Sequence, residues 1–259
     1  MEKTENKQKK KLKGKKKKDP NKLTFWEHLD ELRRRIIYSI VIVLIGFLVS
    51  WAYSKKIYEF IAMPVLKFLK DGKLAYTSLT EPFMMYIKLS FLASLFLTSP
   101  LLFYQFWKFI SPALEKKEKR FAIPFIFLST IFFLIGGWFG YKIVFPYACK
   151  FFLDIGKDFT AVITVSQYLS LATKVLLGIA LTFELPVLIF FLSRFGIVTP
   201  KFLLKYFKYF ILIAFIISAV ITPTPDMITQ SVIAFPLIAL YGIGIIIALI
   251  FGKKKKRDD

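Results

Sequence analysis

Glu184 is the one acidic residue of the sequence that lies well inside an apolar segment. It lies inside the apolar segment Tyr168–Leu192, eight residues or about 12 Å from the end of that segment. An ionised carboxylate there is costly unless it is paired or hydrated, so an acid at this depth is expected to have a function. Thr182 and Gln230 are candidate polar neighbours. A structural carboxyl group, hydrogen-bonded to a neighbouring helix, is the alternative.

Two stretches rich in basic residues also contain carboxylates. These are Glu27, Asp30 and Glu31 in residues 24–35, and Glu115 and Glu118 in residues 111–120. A carboxylate can bind an arginine guanidinium through two parallel hydrogen bonds. Since both stretches are expected on the same side of a membrane, they could together hold a peptide with two adjacent basic residues. Solvated helices with internal ion pairs are the alternative.

Motifs for catalysis or metal binding do not occur in the sequence. The chain has one histidine, His28, and one cysteine, Cys149. A metal site needs more nitrogen and sulfur ligands than these, and no phosphate-binding loop or hydrolase motif is present. We therefore expect neither an enzyme nor a bound metal or other cofactor. Asp226, in an outer turn, is expected to cap the helix that follows.

The elements that position these side chains are predicted to be membrane-spanning helices. Of the 259 residues 56% are hydrophobic, yet the formal charge is +21, because basic residues stand in blocks between long apolar runs. This pattern excludes a soluble, disordered or disulfide-stapled domain. The fifth of six apolar segments has 13 residues, too few to cross a core of about 30 Å. The six are Ile36–Tyr53, Leu89–Ile110, Phe121–Tyr141, Tyr168–Leu192, Tyr209–Ile221 and Ile228–Phe251.

The residues that flank these segments predict the domain organisation. Residues 1–23 are expected to be a disordered, Lys-rich cytoplasmic tail, 24–252 the membrane domain and 253–259 a second basic tail. Residues 24–35 have the pattern of a short amphipathic helix lying at the membrane surface. With Lys108 counted in the connection that follows it, and with Lys88 and Lys174 left out as residues near helix ends, 28 Lys and Arg residues lie on the side of the termini and 8 on the other side. Both termini are therefore expected inside. A nucleic-acid-binding tail is a minor alternative.

The sequence resembles the TatC family, the multi-spanning subunit of the twin-arginine protein translocase. The resemblance extends from about residue 23 to residue 252. It implies an all-α protein with six transmembrane helices in a concave, glove-like wall, the last two of them short. The motifs that carry it are HLDELRRR at 28–35, AMP at 62–64, EPF at 81–83, SPLLFYQFW at 99–107, FISPALEKKEKR at 109–120, FELP at 183–186 and the turn at 222–230.

The resemblance also implies roles for individual residues. Those implied to bind the arginine pair of a signal peptide are Glu118, Glu31 and Phe109. Those implied to form intramembrane polar contacts, including contacts with partner subunits, are Glu184, Gln230 and Asp226. Two prolines match family positions that are important for activity and are interpreted as structural, namely Pro64 and Pro100.

Partners and location follow from the same resemblance. It implies single-helix subunits of the TatA and TatB kind, signal peptides of folded proteins, and further copies of this chain. The expected location is the bacterial cytoplasmic membrane, with the proton gradient as energy source and no nucleic acid as partner. Two other functions stay open at this point: a proton-coupled small-solute transporter with Glu184 as relay, and a passive scaffold that binds no signal peptide.

Overall fold

The computed structural model describes residues 25–66, 74–111, 122–159, 162–222 and 227–252. The two tails, Glu118 and Asp226 lie outside these ranges, so the predictions made for them stay predictions. The described residues form ten α-helices and no β-strand, which confirms the all-α fold. In chain order the helices are α1 (Phe25–Ala52), α2 (Ser54–Leu66), α3 (Glu81–Ile110), α4 (Ala122–Phe139), α5 (Phe145–Ile155), α6 (Val165–Thr182), α7 (Leu185–Arg194), α8 (Pro200–Lys205), α9 (Phe207–Ile221) and α10 (Met227–Phe251).

Five helical stretches in the described ranges are long and apolar enough to cross a membrane, as a multi-pass protein requires. Helix α9 has 15 residues, a length of about 22 Å, and it is the short fifth segment that the sequence predicts. The sixth segment differs from the expectation that the last two are short. Helix α10 has 25 residues, because its apolar run continues through Pro236 without a break.

The first helix corrects another expectation. Instead of a separate surface helix over residues 24–35, α1 continues unbroken from Phe25 to Ala52. No proline or glycine occurs between Phe25 and Ile45, so nothing ends the helix where the polar stretch meets the apolar one. Its 28 residues span about 42 Å, which is longer than the hydrocarbon core. The polar turns of α1 therefore extend beyond the hydrocarbon core on the side of the N-terminus.

The third helical stretch is also longer than predicted. It runs from Ala122 to Ile155, because α4 continues through a π-helical turn, Gly140–Val144, into α5. The apolar run that the sequence prediction relied on ends at Tyr141, before the charged residues Lys142, Lys150 and Asp154. They do not end the helix, because charged side chains are compatible with a helix that leaves the membrane.

Helix α2, in the outer connection after α1, has no counterpart in the sequence prediction. Its buried residues, Ile61, Ala62 and Val65, form one stripe at helical spacing. The segment also contains Lys55 and Lys56, so a search for uncharged apolar runs does not find this helix. The stripe packs α2 against the outer halves of α3 and α5.

Pro64 and Pro100 each remove a helical hydrogen bond, and a side chain replaces it. Proline has no N–H, so the carbonyl four residues earlier loses its usual donor. For Pro64 that carbonyl belongs to Phe60, which accepts from the Tyr141 hydroxyl at 2.6 Å. For Pro100 it belongs to Phe96, which accepts from the Ser99 hydroxyl at 2.8 Å. At both prolines the carbonyl that loses its helical donor is thus satisfied by a side-chain hydroxyl, while their role in activity stays a prediction.

The outer ends of α3 and α6 are joined through their preceding loops. The backbone of Ala75 donates to Ile163 O at 3.0 Å and accepts from Val165 N at 2.8 Å. The carboxylate of Glu81, in the first turn of α3, accepts from the Ser166 backbone N–H at 2.8 Å. These bonds hold together two segments that are more than 80 residues apart in the sequence.

The order in which the helices pack is that of an open wall. Helix α1 packs mainly against α3, which in turn contacts α4 and α6, while α7 packs against α10 and α10 against α9. Small residues allow the close approaches. A Cβ on Gly136 of α4 would lie 2.8 Å from Phe183 Cβ, and one on Gly137 would lie 2.3 Å from the Phe96 ring. Helix α1, at the edge of the wall, packs mainly against α3. Most of its apolar surface is therefore exposed, as expected for a helix that faces lipid.

Candidate functional site

Glu31 and Arg35 form the centre of a polar cluster at the inner end of α1. One turn of helix separates them, the spacing at which opposite charges meet. The Arg35 Nε–H donates to Glu31 Oε1 at 2.7 Å, and Nη2 donates to the same oxygen. The third nitrogen, Nη1, donates to Gln105 Oε1 on α3 at 3.2 Å. A carboxylate, a guanidinium and an amide thus connect α1 to α3.

Phe109 lies beside this cluster. Its ring stacks on His28 of α1, with centroids 4.6 Å apart and an angle of 21° between the planes. His28 and Glu31 are three residues apart and share a face of the helix. The structure therefore brings Glu31 and Phe109 to the same part of the contact between α1 and α3. Their relation to Glu118 stays a prediction.

An apolar groove leads from this cluster towards the middle of the membrane. It has a volume of about 520 Å³ and begins at Arg35, Gln105 and Phe109. Apolar side chains of α1 and α3 line the rest, down to Leu44 and Phe91. Along α1 the groove covers about 18 Å. A polar cluster that contains a carboxylate is therefore followed, along the same two helices, by an apolar groove.

Glu184 occupies the break between α6 and α7. The break forms because Pro186 stands at the start of α7 and offers no N–H to the preceding turn. The side chain is buried, with 8% of the residue exposed. Ser129 of α4 interacts with the carboxyl group. The contact is not a well-formed hydrogen bond, since within the described ranges neither Ser129 Oγ nor Glu184 Oε1 has a hydrogen-bond partner.

The polar neighbours expected for Glu184 lie elsewhere. The Thr182 hydroxyl donates to Ile179 O within its own helix, at 2.8 Å. Gln230 is in the first turn of α10, near the outer surface. Because Gly244 of α10 meets Ile189 of α7, the level of Glu184 on α10 is about nine residues, or roughly 13 Å, from Gln230. The two residues therefore do not form one patch.

Three residues of these sites were not singled out from the sequence. Arg35 had a signal, because its spacing of four residues from Glu31 indicates an ion pair on a helix. Gln105 and Ser129 had no local signal, because their role depends on which helices pack together. In the described ranges, no three His, Cys, Asp or Glu side chains are grouped as a metal site requires.

Comparisons with known proteins agree with this geometry. The family model described as "TatC: Sec-independent protein translocase protein (TatC)" matches residues 27–236. The chain is 43% identical to the Sec-independent protein translocase protein TatC of Desulforapulum autotrophicum, over 93% of this chain and 90% of the relative. It is 40% identical to that of Aquifex aeolicus, over 89% of this chain and 96% of the relative.

A solved structure gives the same result in three dimensions. A crystal structure described as the twin-arginine translocase receptor TatC superposes with a TM-score of 0.76 and 39% sequence identity, covering 86% of this chain and 99% of the other. These matches give no support to a small-solute transporter. The chain therefore belongs to the TatC family of Sec-independent protein translocase proteins and takes part in twin-arginine protein translocation.

Proposed function

We propose that the chain is the receptor of this translocation system and binds the paired arginines of a signal peptide through Glu118, Glu31 and Phe109. The observation that carries the proposal is the state of Glu31, which already holds a guanidinium in the geometry of an arginine–carboxylate pair. A carboxylate that binds one arginine at the membrane surface is chemically suited to bind another. Phe109, next to it, offers an aromatic face to a second cation.

The apolar stretch of the signal peptide is proposed to lie in the groove between α1 and α3. The groove begins at the carboxylate cluster and is lined by apolar side chains. A signal peptide has the same order of features, basic residues followed by an apolar stretch of about 7–15 residues. The continuity of the charged and apolar parts supports a single bound peptide that occupies both.

The orientation and partners complete the proposal. The excess of Lys and Arg on the side of the termini supports a chain with both termini in the cytoplasm of a bacterium. Single-helix subunits of the TatA and TatB kind, and further copies of this chain, would assemble on it, and the proton gradient would supply the energy. Glu184 supports such assembly, because a carboxyl oxygen without a partner gains a hydrogen bond when another subunit supplies one. Gln230 and Asp226 would provide contacts at the outer end.

The test is binding of a labelled peptide to the full-length protein in lipid nanodiscs. The probe is a fluorescent synthetic peptide with two adjacent arginines and a following apolar stretch. Glu118→Gln and Glu31→Gln should each weaken binding by about 10- to 100-fold, since a hydrogen bond to a charged group contributes about 1.5–3 kcal/mol. Glu59→Gln, on the exposed side of α2, is the matched control and should bind like the parent protein.

The result also distinguishes a receptor from a passive scaffold. A receptor should bind a peptide with two lysines more weakly than one with two arginines, because an ammonium group cannot form the bidentate pair. Equal binding of both peptides, or unchanged binding by Glu118→Gln and Glu31→Gln, would show that these carboxylates do not recognise the arginine pair. No binding of either peptide by the parent protein would leave only the scaffold.

A further inference from the structure

The carboxylate of Glu31 is already paired with a guanidinium of the same chain, that of Arg35. Two guanidinium nitrogens converge on Oε1. Among the contacts of the described residues, none is made to Oε2. The side chains are 20% exposed for Glu31 and 13% exposed for Arg35. The group needed to bind a signal-peptide arginine is therefore partly used by an arginine of the receptor itself.

We propose that Arg35 is an intramolecular competitor, which holds Glu31 until a signal-peptide arginine displaces it. The inference rests on the proposed function of Glu31. The incoming guanidinium is chemically the same as the one that leaves, so the exchange conserves the hydrogen bonds made to Glu31. Competition from Arg35 lowers the net gain made at Glu31, so a larger share of the affinity comes from the other contacts of the peptide, at the loop carboxylate and in the groove.

The surroundings of Arg35 make displacement feasible. A buried charge that loses its only partner is strongly unfavourable, but Arg35 has others. Nη1 already donates to Gln105 Oε1 on α3, and the Arg35 Cζ lies 6.0 Å from the centroid of the Tyr38 ring. Both contacts are independent of Glu31 and can hold the displaced side chain. The pair can therefore open without leaving the guanidinium unsolvated and unpaired.

The fraction of molecules in which the Glu31–Arg35 pair is open determines how much the removal of Arg35 changes peptide affinity. A partly exposed ion pair one helical turn apart is closed about four times as often as it is open, so the open fraction is about one fifth. When a ligand binds only the open state, its apparent dissociation constant is raised by the inverse of the open fraction. Removal of Arg35 should therefore tighten binding of a twin-arginine peptide by about fivefold. A residue that only supported the fold would have the opposite effect.

The experiment compares Arg35→Gln with Arg34→Gln, using the same peptide and full-length protein in nanodiscs. Arg34, the preceding residue, is exposed, and among the contacts of the described residues Glu31 pairs with Arg35 and not with Arg34, so replacement of Arg34 removes the same charge and leaves the pair intact. We expect about fivefold tighter binding for Arg35→Gln and a much smaller change for Arg34→Gln. In a Glu31→Gln background, Arg35→Gln should have no effect, because the group in competition is gone. Arg35→Lys keeps the positive charge but cannot donate two parallel hydrogen bonds as a guanidinium does, so it should increase peptide affinity by an intermediate factor. This variant replaces Arg35→Gln in the experiment if Arg35→Gln does not fold.

Three results would overturn the inference. They are weaker binding by both Arg35 variants, an equal gain from Arg34→Gln, and a gain that persists in the Glu31→Gln background. These are distinct from failure of the proposed function, which would appear as unchanged binding when Glu31→Gln is made in the parent protein. Weaker peptide binding by Glu31→Gln, together with unchanged binding by Arg35→Gln, would show that Arg35 is not a competitor but would still support a receptor.

Discussion

Replacement of Glu184 by methionine should make the protein more stable and less active. The carboxyl group is buried, and in the described part of the chain its Oε1 has no hydrogen-bond partner. An unsatisfied buried polar group costs about 1–3 kcal/mol. Methionine has a similar length and no such group, and its flexible chain adapts to the existing space. Glu184→Met should therefore raise the free energy of unfolding by about 1–3 kcal/mol.

The measurement is thermal unfolding in detergent, followed by the intrinsic fluorescence of the four tryptophans. For a chain of this size, 1 kcal/mol corresponds to about 2–4 °C in Tm, so Glu184→Met should raise the Tm by between about 2 and 12 °C. Leu181→Met is the control, because Leu181 is exposed on the neighbouring turn and should leave the Tm unchanged. The same Glu184 variant should co-purify less single-helix subunit, since it lacks the group proposed to meet a partner.

A lower Tm for Glu184→Met would refute this reasoning. It would mean that the carboxyl group is satisfied within the folded chain and is there for stability. An increase in stability together with normal partner binding would retain the energetic argument and remove Glu184 from the assembly surface. Only an increase in stability with a loss of assembly fits a residue kept for function at the expense of the fold.

Two further predictions concern packing and backbone satisfaction. Gly136→Ala should destabilise the protein by about 1–3 kcal/mol in the same unfolding assay, because the added Cβ would overlap the facing helix. Gly242→Ala, which has open space around it, should instead stabilise it by about 0.5–1 kcal/mol. Tyr141→Phe should cost about 1–3 kcal/mol, because the Phe60 carbonyl loses the donor that replaces the missing N–H of Pro64. In a Pro64→Ala background the cost should fall, since residue 64 then has an N–H, and an equal cost in both backgrounds would contradict this explanation.

Hydropathy was sufficient to predict the membrane helices but not their ends. An apolar run marks the part of a helix that lies in lipid, whereas the helix itself ends where hydrogen bonding ends. This is why α1 begins before the apolar run and α5 continues after it. Helix α2 was missed because its apolar stripe, unlike a membrane span, is interrupted by charges.

The candidate sites were predictable only as far as they are local in sequence. The pair of Glu31 and Arg35 follows from helical spacing and could have been inferred. The contact of Phe109 with α1, the role of Gln105 and the position of Ser129 against Glu184 depend on the packing of separate helices. Resemblance to a family supplied Phe109, because it carries information about packing that periodicity does not contain.

The bonds between the outer loops restrict how the wall can change shape. At the outer surface, backbone hydrogen bonds of Ala75 and the carboxylate of Glu81 connect the starts of α3 and α6. At the other end of the wall, α1 and α3 are joined by side-chain contacts, the hydrogen bond from Arg35 to Gln105 and the stack of Phe109 on His28, which can adapt when the backbones move. Separation of the helices would thus pivot about the end of the wall where α3 and α6 begin, and would open at the end that holds Glu31 and Arg35.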